Sequence, residues 1–170
     1  RSKTAVNGYD GRSWSTGAGD MNTARYNAGS MGTQNAAIIF GRQPAITTTE
    51  SYNGSSWTAG PNLPGSVYYG CVCTGTSTAG ISIGGADPPS NKVLELDGTT
   101  WTSATSSPLT VPNGTGNGVG TQTAAVHAHN TDNRYWNGTS WSTEASLPVG
   151  KPARAASGGT QAGWFAAGGT

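Results

Sequence analysis

The chain has 170 residues, a length that points to one domain, and it carries 27 glycines beside a 34% apolar fraction, which is ordinary globular composition once glycine is counted. Charged residues make up only 10%, nine basic against eight acidic for a net charge of +1, whereas soluble domains average about 25%. No basic stripe exists to neutralise phosphates and the longest uncharged apolar run is 36–40, so composition argues against nucleic acid and against membrane insertion.

In chain order, residues 3–9 and 13–16 read as two strands around Asp10-Gly11. Arg25 then precedes a strand whose alternate positions are the small residues Ala28 and Ser30, and an apolar strand ends at Gly41. Asn53-Gly54 marks the next hairpin, closed by Trp57. The following unit is predicted to hold strands at 67–73, 78–83, 93–96 and 100–102. A third unit runs through Gly116, Gly118, His127, His129, Asn137-Gly138 and Trp141, and a last strand pair carries Ala155 and Ser157. No segment shows an apolar period of 3.6 with caps, so no helix is predicted.

Two phrases recur in step. One is Tyr9-Asp-Gly-Arg-Ser-Trp14, Tyr52-Asn-Gly-Ser-Ser-Trp57, Leu96-Asp-Gly-Thr-Thr-Trp101 and Trp136-Asn-Gly-Thr-Ser-Trp141, whose final tryptophans are 43, 44 and 40 residues apart. The other opens at Gly32, Gly75, Gly120 and Gly159, mostly as Gly-Thr-Gln. An Asp-Gly or Asn-Gly step between β-prone runs predicts a two-residue type I′ turn with positive φ at both residues. Four strands per unit at this period predict an all-β chain, a β-propeller of four four-stranded blades. The blades fall roughly at 21–60, 63–104, 109–144, and 147–170 plus 1–17. On this reading the N-terminal strands complete the C-terminal blade and close the disc, which removes an open sheet edge. Small residues on each first strand, Cys71 and Cys73 among them, are expected where strands crowd a common axis.

The array resembles kelch-type blades through Arg25 before an inner strand, the Gly84-Gly85 and Gly168-Gly169 pairs, and the Trp opening each fourth strand. Its wording is similar to kelch-like repeat arrays of bacteriophages and marine bacteria, where Tyr-Asn-Gly-Ser-Ser-Trp and Gly-Thr-Gln recur. Gly41-Arg42 and His129-Asn130 replace the glycine pair, and Leu96 replaces an aromatic residue. The copper radical oxidases built on a propeller need histidines on separate blades; the two histidines here are two residues apart on one strand, so that chemistry does not carry over.

His127 and His129 share one strand face and are the candidate metal pair, with Asp132 the nearest acid, although a site needs three or four converging ligands. No Gly-x-Ser-x-Gly elbow occurs, and the acids fall at turns and strand ends. No cofactor and no catalytic residue is expected. The Asn-Gly-Ser/Thr triplets at Asn53 and Asn137 match the glycosylation sequon, but the turn alone accounts for them.

The copies differ in their connections, 42–46, 60–66, 86–91, 103–113 and 145–152, which are stiffened by prolines. Individual function is expected there, because the shared residues serve the fold. Arg42, Tyr68, Tyr69 and Asp87 are the candidate binding residues. The expectation is a non-enzymatic binding or structural module with an extracellular or virion-surface location. The resemblance implies a phage tail fibre, a decoration protein or a bacterial surface protein that engages a glycan or another protein, with homo-oligomers possible. The alternatives are a stand-alone lectin with sugar sites repeated between blades, and a piece of a larger propeller.

Overall fold

The computed structural model describes residues 4–16, 19–41, 44–67, 72–85, 91–110, 116–148 and 155–167, with backbone alone at 155–158 and 165–167. Its sixteen strands are β1 (Gly8–Tyr9), β2 (Trp14–Ser15), β3 (Gly29–Thr33), β4 (Ala36–Phe40), β5 (Thr49–Tyr52), β6 (Trp57–Ala59), β7 (Val72–Gly75) and β8 (Gly80–Ile83). They continue as β9 (Val93–Leu96), β10 (Trp101–Ala104), β11 (Gly120–Thr121), β12 (Ala124–His129), β13 (Asp132–Trp136), β14 (Trp141–Thr143), β15 (Ala155–Thr160) and β16 (Gly163–Ala167). There is no helix among the described residues, as the periodicity predicts.

Three antiparallel meanders of four strands, β3–β6, β7–β10 and β11–β14, stand in chain order. Their first strands are neighbours, β3 beside β7, β7 beside β11 and β11 beside β15, which gives the sheets a propeller-like arrangement. A Cβ on Gly118 would fall on Val72 and on the Val126 backbone, so the small residues expected at the inner strands serve close approach. Cys73 packs against an apolar cluster in the same way; Cys71 lies outside the described residues.

The core lies between the sheets. Met31, Ile38 and Phe40 of the first sheet meet Leu94, Leu96 and Trp101 of the second. Ile81, Ile83 and Val93 on the opposite face of that second sheet meet Ala125 and Trp136 of the third. Val126 and Ala128 then face Trp164 of β16. Strand alternation makes this possible, because successive side chains of β9 and β12 point to opposite faces and the second and third sheets are packed on both.

Side chain to backbone bonds tie each seam. Gln34 Nε2 donates to the Tyr9 carbonyl (2.8 Å), Gln122 Nε2 to that of Leu96 (2.9 Å), and Gln161 Nε2 to those of Trp136 (2.7 Å) and Ala125 (3.0 Å). The glutamine of the recurring Gly-Thr-Gln thus grips the end of the third strand in the preceding unit. Within each unit the segment after the fourth strand folds back on a residue just ahead of the third. Leu63 N bonds to Thr47 O, Ser107 N to Asn91 O and Leu147 N to Thr131 O, at 2.8–2.9 Å.

The turns differ from expectation. Tyr9 pairs with Trp14, Tyr52 with Trp57, Leu96 with Trp101 and Trp136 with Trp141, so each loop has four residues rather than two. Only the glycines Gly11, Gly54, Gly98 and Gly138 take positive φ; the preceding Asp or Asn does not. Its side chain instead accepts backbone N–H groups two and three residues on, as Asp10 does from Arg12 (2.8 Å) and Ser13 (2.7 Å) and Asn53 from Ser55 and Ser56 (both 2.9 Å). This Asx-type bonding satisfies the loop without a left-handed residue ahead of glycine. The bonds hold the carboxyls of Asp10 and Asp97 below the ordinary carboxylate range, the N–H of Ser13 contributing most for the first and that of Thr99 for the second.

Strand bounds also shift. In the second sheet the described part of the first strand is Val72–Gly75, which runs past the expected end at 73, and Val67 forms an isolated bridge to Ile46. The N-terminal strand is only Gly8–Tyr9, not 3–9. β1–β2 and β15–β16 are separate two-stranded sheets, and among the described residues no ladder joins β16 to β1. Trp14 is accordingly 73% exposed, whereas its counterpart Trp101 is 6% exposed against Phe40.

Candidate functional site

Of the sequence-predicted binding residues, Arg42, Tyr68, Tyr69 and Asp87 lie outside the described residues. Tyr68 directly follows Val67, and Asp87 belongs to the β8–β9 connection. Among the described residues, Ser66, Val67, Gly84, Lys92, Leu94, Ser103 and Ser106, with others, line a cleft of about 260 Å³.

The cleft forms where the connection from the first to the second sheet crosses the open end of the second. That connection is strapped down. Gly60 N bonds to Thr49 O (3.0 Å), Thr49 Oγ1 donates to Pro61 O (2.9 Å), and Val67 N bonds to Ile46 O (3.3 Å). Leu63 and Val67 are buried in the first cluster, so their apolar anchoring fixes the wall that Pro64, Gly65 and Ser66 present. The opposite wall is the start of β9 and the end of β10, held in register by Ala104 opposite Val93. Gly84 N bonds to Lys92 O at 2.7 Å, closing the floor.

Chemically the lining offers three hydroxyls, one ammonium and apolar flanks, with no carboxylate among its described residues. No acid lies within ion-pair distance of Lys92 among the described residues; the ion pair present joins Arg25 to Glu50. Ser66, Ser103 and Ser106 fall in the variable connections 60–66 and 103–113, where function is expected, though none is singled out there; Lys92 lies one residue past 86–91 and was missed. The available signal was positional: where Lys92 stands, five residues ahead of the repeating Asp/Asn, the neighbouring units have Thr48 and Asp132.

Arg25, named as a kelch-like feature, is a structural residue. It is buried, and its guanidinium donates to the carbonyls of Gly41 and Thr48 (both 3.0 Å) and reaches Glu50 Oε1 at 3.3 Å. Burial opposes the charge on Glu50, but N–H groups of Asn22 and Thr23 and the Arg25 guanidinium together hold its pKa below the usual value.

The histidine pair separates. His127 is fully buried with Nδ1 2.7 Å from Ser107 Oγ, and its ring stands edge-on to Trp141. Burial, with His129 and Arg134 nearby, depresses its pKa to about 3. His129 is half-buried and pairs across strands with Asp132. Among the described residues no three metal-ligating side chains converge anywhere, so the expected metal pair has no third ligand there; Ser107 occupies Nδ1 of His127 instead. No protein-family model matches the chain, and no curated protein matches it.

Proposed function

We propose that this chain is a non-enzymatic binding module whose ligand seats in the cleft at the open end of the second sheet. The observation that carries the reading is the convergence there of a strapped interblade connection and two strand ends around a mixed polar and apolar hollow. Binding sites are concave and preformed, with a few placed polar groups, and walls fixed before the ligand arrives reduce the entropy lost on association. Individual function belongs where copies of a repeat differ, and Lys92 is such a difference.

The kelch-like resemblance supports a glycan or protein partner on a phage tail fibre, a decoration protein or a bacterial surface protein, outside the cell. The same reading completes the disc: β15–β16 supplies first and second strands, β1–β2 supplies third and fourth, and pairing β16 with β1 makes a fourth blade. Support comes from the seams, since Gln34 holds β1 and Gln161 holds β13 in one geometry, and from the uncovered Tyr9–Trp14 face. A lectin with one sugar site per blade is disfavoured by the exchange of Lys92 for Thr48 and Asp132 in the neighbouring units.

Screening the protein on a glycan array and by pull-down with bacterial surface polysaccharide tests the reading. Saturable binding that Ser103→Trp abolishes by filling the cleft, in a variant with unchanged circular dichroism, is the expected result. Binding that survives S103W, or none at all, overturns it.

A further inference from the structure

We infer that the cleft selects a carboxylated monosaccharide unit, such as a uronic acid, over its neutral counterpart. The inference deepens the binding reading above and rests on it. Among the described residues Lys92 is the one ionisable side chain of the lining and no acid lines it, so from these residues an incoming carboxylate meets attraction without a competing anion. Ser66, Ser103 and Ser106 line the same cleft, and each hydroxyl can donate or accept a hydrogen bond, matching the mixed donors and acceptors of a sugar ring. Val67 and Leu94 supply an apolar flank of the kind that a pyranose C–H face covers.

Size limits the occupant. The volume of about 260 Å³ falls below the roughly 300–1,000 Å³ of sites for drug-sized ligands, which suits one ring and not an extended chain within the hollow. A polysaccharide is then held by a terminal or protruding acidic residue.

Charge sign at this place is peculiar to the second sheet. Lys92 and Ala104 occupy positions held by Asp132 and Glu144 in the third unit and by Thr48 and Gly60 in the first. The third unit presents carboxylates where the second presents an ammonium, and the Thr48 hydroxyl and carbonyl of the first are taken by Arg25. An anion therefore distinguishes the second unit from both neighbours.

The test titrates glucuronate, glucose and acetate into isotopically labelled protein and follows amide NMR shifts of residues 64–67, 84, 92–94 and 103–106. Glucuronate is expected to saturate these resonances at least tenfold more tightly than glucose or acetate. Lys92→Ala should remove that preference and Lys92→Arg should keep it. Equal affinity for glucose and glucuronate, undisturbed by K92A, overturns the acidic selectivity while leaving a sugar-binding cleft. Equal affinity for acetate and glucuronate also overturns it, showing a bare anion site. Shifts from none of the three, with an array also blank, overturn this inference and the binding reading together. Comparing free glucuronate with an acidic polysaccharide then separates a soluble sugar acid from a surface glycan as the source.

Discussion

Ser107 Oγ lies 2.7 Å from His127 Nδ1 in the seam between the second and third sheets, where a buried imidazole would otherwise have no polar contact on that side. At the matching places the first and third units have Leu63 and Leu147 instead of Ser107, and the first two sheets have Ile39 and Ser82 instead of His127. A hydroxyl and a ring nitrogen thus stand at the second–third seam where the first–second seam has Leu63 and Ser82.

Burial of that imidazole sets an acid response. The folded pKa of His127 is lowered to about 3 from 6.5, so the unfolded chain binds a proton that the folded one refuses between those values. Stability is complete above pH 6.5 and falls on acidification, by at most about 1.4 kcal/mol per pH unit from this group. Urea midpoints measured at pH 7 and 5 should fall in the native protein and change less in His127→Gln. Equal acid loss in both proteins contradicts the assignment.

Arg25 and Glu50 form a buried ion pair with further backbone partners on each side. Removing one member strands the other, at a cost of roughly 3–5 kcal/mol. Arg25→Ala should lower the thermal midpoint sharply, and Arg25→Lys should recover little, since an ammonium lacks the fork that spans Gly41 and Thr48. The lowered pKa of Glu50 makes its contribution present above pH 4.5 and lost below its folded value, which a pH series on the native protein and Glu50→Gln will read.

The second sheet lacks one latch, because Ser77 stands where Gln34, Gln122 and Gln161 reach the preceding unit. Ser77→Gln should reach the Tyr52 carbonyl and stabilise by about 1 kcal/mol, the ordinary net value of one hydrogen bond. Gln122→Ala should cost about 1–3 kcal/mol by leaving a half-buried carbonyl unpaired. Chemical denaturation of the two variants checks both signs.

Gly80 sits against the Met31 thioether, and a Cβ there would overlap the sulfur. Gly80→Ala should cost about 1–3 kcal/mol by overpacking. Adding Met31→Ala should return part of it, because residues in contact couple non-additively. A double-mutant cycle by urea unfolding gives the coupling, and strict additivity contradicts the contact.

Trp14 tests closure of the disc. If β16 seats beside β1, Trp14→Ala should cost several kcal/mol, as truncating a buried aromatic does (about 3–5), and Trp14 fluorescence should be blue-shifted. A cost near zero leaves β1–β2 an open hairpin.

The period of the tryptophans made the sheets legible, since Trp57, Trp101 and Trp141 each open a fourth strand. The hairpin phrase located the loops but misassigned their length: Asp10 and Asn53 were read for backbone freedom, whereas they act through side-chain acceptors. Arg25 was legible as a kelch-like feature but not as half of a buried ion pair, because its partner, Glu50, is 25 residues away and carries no motif. The cleft was invisible for a similar reason. Lys92, Ser66 and Ser103 come from three separate stretches that only the fold-back bonds bring to one place.

The seam glutamines bind main-chain oxygen, which every amino acid possesses, and they accept Tyr9, Leu96 and Trp136 alike. A joint indifferent to the neighbour's identity lets genetic duplication or loss of a whole unit leave each remaining junction intact. Copy number in such arrays is then free to drift, while the hollow beside Lys92 diverges independently on a chassis that tolerates rearrangement.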